Sequence, residues 1–187
     1  MANTRVPTPE EIDRQYMLRE EPYMMGLPIK ENPLVFHGDR AIEKVQDLFP
    51  DTTLTAAQKR VISLEGYSPD FYEDTKGIVT TGVGQTGHML EWSFLRTFQE
   101  KENLAKNAIA NYDSLPDYVQ QEIMSGFYRG DLSGSPDTLE HINNDEWGLA
   151  ADEFLDNDEY RAEVRKSAEE GTDTGIKKRM DAISDAF

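Results

Sequence analysis

The chain has 187 residues, 36 acidic against 19 basic side chains for a formal charge of −17, and no cysteine. That length supports one hydrophobic core, with or without a small extension. The charge argues against a nucleic-acid partner, because phosphate binding depends on Lys and Arg, and the absence of cysteine excludes disulfides and thiolate metal sites. No window approaches 18 uninterrupted apolar residues, so no membrane insertion is expected, and MANTRVPTPEEIDRQ lacks the apolar segment of a signal peptide.

In chain order, residues 1–38 are irregular. Pro7, Pro9, Pro22, Pro28 and Pro33 punctuate them, and EEIDRQYMLREE is the one run with the makings of a short helix. Met24, Met25, Leu27, Leu34, Val35 and Phe36 are apolar enough to pack on a surface, so the segment reads as an attached arm and residues 1–50 as an N-terminal extension. Helical spacing follows at Ala41, Ile42, Val45 and Leu48, ended by Pro50. Thr55 is placed to cap the next helix, AAQKRVISLE, whose Ala57, Val61 and Leu64 form an i, i+4, i+7 stripe and whose stop is Gly66. Phe71 and Tyr72, a turn through Asp74 to Gly77, and IVTTGVG predict a small β-hairpin.

Beyond Met89 the texture is helical. Trp92, Leu95, Phe98 and Leu104 mark one region and Tyr118 to Met124 another; further helices are expected over 136–142, 147–155, 160–169 and 175–187. The acidic excess gathers here: residues 61–187 hold 26 acidic and 11 basic side chains. Stretches such as NNDEWGLAADEFLDNDEY read as a solvated face, with a partner-docking surface as the other reading.

The chemistry concentrates in LEGYSPDFYEDTKGIVTTGVGQTG. Glu65 ends its helix, where the carbonyl end of the dipole and the apolar neighbours Val61, Leu64 and Tyr67 push a carboxyl upward, toward a group that keeps a proton near neutrality. That suits a general acid. Asp74 sits in a wet turn, where an aspartate ordinarily caps the backbone but can also orient a water. Thr80 returns on the next strand with a hydroxyl able to reach the same water. Two carboxylates on different elements, one half-buried and one hydrated, are the apparatus of glycosidic cleavage. Tyr67, Phe71, Tyr72 and Trp92 offer either a sugar-stacking platform or core packing.

Other chemistry finds little support. His37, His88 and His141 lack ligand spacing, DNDEY and NNDE do not make a calcium loop, and GVGQTG matches neither nucleotide-binding glycine motif. Ser63, Ser68 and Ser125 have no nucleophile elbow around them. No cofactor and no metal are expected.

The run Glu65-Gly66, Phe71-Tyr72, Asp74, Gly77, Thr80, Gly82, Gly84 resembles the active-site signature of the phage-type lysozymes, glycoside hydrolase family 24. The glutamate-to-aspartate interval of nine, the aspartate-to-threonine interval of six and the trailing GxG all match. The resemblance extends over about residues 52–187, including YDSLPDYVQQEIMSGFYRG and WGLAADEFLDNDEY. It implies an α+β lysozyme-like fold, a small β-hairpin lobe plus a mainly helical lobe, with residues 51–187 as the catalytic domain. It implies a muramidase in which Glu65 is the general acid, Asp74 assists a water that attacks with inversion, and Thr80 helps to hold that water. The implied partner is bacterial cell-wall peptidoglycan.

Three departures stand out. Gln85 occupies a position usually histidine, which removes a charged contact to a carboxylate. SPDF alters the lip of the cleft. Near the last helix, TDTGIKKRM offers Lys177, Lys178 and Arg179, read as bounding that helix or pairing with the acidic surface rather than touching substrate. Two sites of action stay open: the host cytoplasm before release to the wall, or a virion tail or baseplate protein engaged through the arm. A catalytically weak lysozyme-fold component of a particle is the alternative to an enzyme.

Overall fold

The structure, a computed structural model, describes residues 29–74, 76–90 and 93–187. The expected helix in EEIDRQYMLREE, the arm residues Met24, Met25 and Leu27, and Trp92 lie outside them.

The first described residues run beside the strand that they precede in sequence. Ile29 bridges Phe71 in parallel, Phe36 bridges Tyr67 in antiparallel fashion, and Lys30 N donates to the Phe71 carbonyl at 2.8 Å. Asp70 secures the same segment by pairing with Lys30 Nζ at 2.7 Å and accepting the Leu34 amide at 3.2 Å. Helix α1 (Gly38–Leu48) then buries Ala41 and Val45 completely, and both belong to the hydrophobic core that the later helices share.

Helix α2 (Ala56–Glu65) starts and stops as its sequence requires. Thr55 Oγ1 accepts the Gln58 amide at 3.2 Å while Gln58 Oε1 accepts the Thr55 amide at 2.9 Å, a reciprocal capping box. At the other end Gly66 takes φ +78°, and a Cβ there would lie 2.8 Å from the Phe36 carbonyl oxygen. Glycine therefore both ends the helix and lets the incoming segment pass against it.

The expected hairpin is a three-stranded antiparallel sheet of β1 (Ser68–Glu73), β2 (Val79–Gly82) and the two-residue β3 (Gln85–Thr86), in that order. Ser68 pairs with Gly82 and Tyr72 with Thr80; the register shifts between these pairs. Helices α3 (Phe94–Ala108), α4 (Asp117–Arg129), α5 (Pro136–Asn143), α6 (Trp147–Leu155), α7 (Asp158–Glu170) and α8 (Gly175–Asp185) complete the described chain. The architecture is α+β, a small sheet lobe joined to a mainly helical lobe.

Helix α4 is the post of that second lobe. It buries Val119, Ile123, Met124, Phe127 and Tyr128, and contacts α2, α3 and α8. Full burial of such side chains is worth about 1.5–3 kcal/mol each, enough to fix α2 firmly against the lobe. Gly130, at φ +101°, ends α4. Helix α8 packs on α4, α6 and α7 through Met180 and Ile183. Along α3 the expected stripe is displaced by one residue at its end: Leu104 is exposed and Ala105 is in the core.

Candidate active site

Glu65 is the last residue of α2, and its carboxylate is four-fifths shielded from solvent. Its partner comes from the far end of the chain. Arg179 Nη1 lies 2.9 Å from Glu65 Oε1, and Nη2 donates to the Leu64 carbonyl at 3.2 Å. One guanidinium thus satisfies both a side chain and an end-of-helix carbonyl of α2. Arg179 is itself buried, on the face of α8 that carries Met180 and Ile183. The expectation for the KKR run divides here. Lys177 does pair with acidic neighbours, Asp173 at 3.4 Å and Asp181 at 2.7 Å, whereas Arg179 turns inward to Glu65. The missed signal was its position in the stripe Ile176, Met180, Ile183: an arginine among buried helix positions needs an anionic partner inside.

Asp74 closes the turn between β1 and β2. Its Oδ1 accepts the amides of Lys76 and Ile78, both at 2.8 Å, and its own amide donates to the Ile78 carbonyl. Among the described residues Oδ2 has no hydrogen-bond partner, which leaves it available to a ligand. Thr80 is buried on β2; its hydroxyl donates to the Ile78 carbonyl at 3.0 Å, and its oxygen keeps acceptor capacity.

Tyr72 links these groups. It stands directly across the ladder from Thr80, and Asp74 follows in the turn just beyond the end of β1. The Tyr72 phenol is held above its ordinary range first by burial and then by the negative charges of Asp74 and Glu65. Both carboxylates therefore bear on one half-buried ring. Of the three described residues among those proposed for stacking, Tyr72 is the one with this relation. Tyr67 and Phe71 instead line an apolar cavity of about 280 Å³ with Val45, Phe49, Val83 and Leu90. That cavity borders Thr81, and hence the face of β2 opposite Thr80; none of Glu65, Asp74 and Thr80 lines it.

The turn between β2 and β3 forms the remaining wall. A Cβ at Gly84 would touch Glu65 Oε2 at 3.5 Å, so the backbone passes close beside the carboxylate. Buried Tyr128 reaches across from α4 to donate to the Val83 carbonyl at 2.7 Å, and its phenol is pushed up by burial and by Glu65. Gln85 is buried, with Oε1 accepting the Val83 amide at 2.6 Å. Gly82, at φ +58°, has no Cβ to collide with that amide group. Gln85 therefore stiffens the turn that borders Glu65.

No family model matches the sequence, and no curated protein matches it. Among solved structures, that of the active form of the P1 phage endolysin Lyz resembles this chain with a TM-score of 0.52 and 15% sequence identity, covering 83% of this chain and 95% of the endolysin chain. The chain has a lysozyme-like endolysin fold.

Proposed function

We propose that this protein is a peptidoglycan hydrolase, a muramidase of the phage-type lysozyme kind represented by glycoside hydrolase family 24, which cleaves the β-1,4 bond between N-acetylmuramic acid and N-acetylglucosamine. The observation that carries the reading is Tyr72, acted on by both Asp74 and Glu65 and paired across the ladder with Thr80. It supports reading the three residues of the sequence signature as one group. The fold it shares with a phage endolysin supports the same reading.

In this mechanism Glu65 gives its proton to the glycosidic oxygen as the bond from that oxygen to the anomeric carbon breaks. A water held by Thr80 attacks the opposite face of the ring, and its proton passes to the Asp74 carboxylate. The products are a new reducing end of inverted configuration and a free hydroxyl on the leaving sugar. Asp74 is suited to that part because two backbone amides fix its Oδ1 and hence the direction of Oδ2. No cofactor or metal enters.

The test is a peptidoglycan digest comparing wild type with Glu65→Gln. We expect new reducing ends from the wild type and a loss of about 10²–10⁴-fold in the variant, the usual contribution of a positioned acid, with the fold retained. Asp74→Asn should be severely impaired as well. Release of 1,6-anhydro products would make the enzyme a transglycosylase, and equal, negligible release from both proteins would make it a lysozyme-fold structural component.

The site of action follows from charge. The first reading is an endolysin held in the host cytoplasm and released to the wall. The formal charge of −17 favours a second, a lysozyme tethered in a virion tail or baseplate by its N-terminal arm, because tethering supplies the local concentration that like-charge repulsion at the wall opposes. Blotting of purified particles separates the two.

A further inference from the structure

Arg179 holds one oxygen of Glu65, Oε1. The other borders backbone. A Cβ on Gly84 would meet Oε2, Cβ and Cγ of Glu65 at 3.5, 3.9 and 4.0 Å, so the turn between β2 and β3 lies along this side chain from its root to its carboxylate. Gly84, at φ +70°, brings the backbone close but has no side chain to anchor its own place. Whatever fixes this turn therefore fixes that flank of Glu65.

Three contacts do so, and all fall on Val83. Its side chain is fully buried in the core, an attraction without direction. Its amide donates to Gln85 Oε1 at 2.6 Å, a bond internal to the turn that moves with it. Its carbonyl accepts the Tyr128 hydroxyl at 2.7 Å, and this bond is both directional and external, because Tyr128 belongs to α4 in the helical lobe. Tyr128 is well placed to hold. It is 7% exposed, and its ring packs at a tilt against Phe94 of α3, with 6.0 Å between centroids. Burial, and then the charge of Glu65, hold its phenol above the ordinary range, so it keeps its proton and stays a donor. A carbonyl this buried would carry a desolvation penalty if the donor were removed.

We propose that Tyr128 is a positioning residue for the acid: its hydroxyl pins the peptide between Val83 and Gly84 to the helical lobe, and that peptide confines the Glu65 side chain between Gly84 and Arg179. The acid is then in place before the glycosidic oxygen arrives, and no reorganisation is left for the reacting complex. Tyr128 and Val83 are both buried, so their bond acts through Glu65 and not through contact with a ligand. Its loss therefore falls on kcat and spares KM.

The proposal takes the role of Glu65 from the muramidase reading, so activity and geometry are read separately. Peptidoglycan cleavage is compared for wild type, Tyr128→Phe and Ile142→Val at a temperature where circular dichroism shows them folded. Tyr128→Phe removes the hydroxyl and keeps the ring; Ile142, buried on α5, reports general loosening of the core. Tyr128→Phe should lower kcat by about tenfold, within the loss that a misplaced group produces, with KM little changed, and Ile142→Val should keep the wild-type kcat. A wild-type kcat in Tyr128→Phe, or an equal loss in Ile142→Val, overturns the proposal. NMR of the native chain gives the second readout. Nuclear Overhauser contacts from the Gly84 Hα to the Glu65 methylenes, and a slowly exchanging Tyr128 hydroxyl proton, are expected; their absence overturns the proposal even where Tyr128→Phe fails to fold. In folded Tyr128→Phe the Gly84 contacts should weaken, and unchanged contacts overturn it too. Absent cleavage by wild type defeats the muramidase reading, and the NMR result still decides whether Tyr128 holds the turn against Glu65.

Discussion

Arg179 serves two partners with one planar group: the carboxylate of Glu65 and the carbonyl of Leu64. Lysine has the charge but not the fork. Arg179→Gln leaves Glu65, only one-fifth exposed, without an ion-pair partner among the described residues. Breaking a pair this buried costs about 3–5 kcal/mol, and the residual exposure of Glu65 puts the expectation near the lower end, about 3 kcal/mol. Urea denaturation should register that loss, and Arg179→Lys should recover part of the stability but less of the activity. The pair was the part of the site least legible in the sequence. Glu65, Asp74 and Thr80 lie within one short run whose spacing is visible by eye, whereas Arg179 sits at the other end of the chain inside a KKR cluster. Of its neighbours, Lys178 is exposed and Lys177 is half-buried between Asp173 and Asp181, and the apolar stripe of α8 is what distinguishes the third cation from the first two.

At the scale of elements, the legible features were those written in local chemistry. Thr55 with Gln58 declares the start of α2, Gly66 its end and Pro136 the first turn of α5, whereas α4, marked in the sequence by Tyr118 to Met124, runs on to Arg129. What local pattern did not reveal was how the segment before residue 50 is used. Ala41 and Val45 are core residues of the same cluster as α2 and α4, because a helix with only a narrow apolar stripe can still bury it completely, here against α2. Residues 29–36 lie along β1, and Asp70 ties them there. The hydrogen bond to Lys30, followed by the Leu34 amide, holds the Asp70 carboxyl below its ordinary value. Such a tie is complete above the unfolded aspartate range, near about 4, and is lost as pH falls through the lower folded value. The protection factors of the Lys30, Leu34 and Phe36 amides should therefore fall on acidification, exchange accelerating relative to its intrinsic rate, while α2 and α4 stay protected. Asp70→Asn should produce the same local acceleration at neutral pH. Uniform protection in the variant would show that the backbone bridges to Phe71 and Tyr67 hold the segment unaided.

For the molecule as a whole, under the proposed muramidase function the charge sets the encounter with the cell wall. Bacterial walls are polyanionic, and a protein at −17 approaches them against a repulsive field. Salt shortens the reach of that field to about 8 Å at 0.15 M ionic strength. Turbidity clearing of whole walls should accordingly quicken as NaCl rises from about 10 to 150 mM, the reverse of what attraction between a basic enzyme and the wall would give. Short uncharged glycan fragments should show no such acceleration. If clearing slows with salt, some local cationic surface governs binding and net charge is the wrong guide. Acidic groups are not all idle in this field. Asp156 and Asp158 both engage Arg161, Asp173 and Asp181 flank Lys177, and Tyr160 donates to Asp181 at 2.7 Å. The surface is a set of small neutralised knots within a negative background.

The reach of Arg179 back to α2 also has a meaning in time. A ribosome completes the signature from Glu65 to Thr80 well before it reaches α8. Throughout that interval the nascent chain owns every residue of the proposed reaction but not the cation that seats the acid, nor the helix that closes the core over it through Met180 and Ile183. A message truncated anywhere before codon 179 yields a polypeptide with the signature intact and Glu65 unanchored. Under the proposed function, competence is thereby tied to synthesis through α8, and a copy stopped short of it carries the signature without a seated acid.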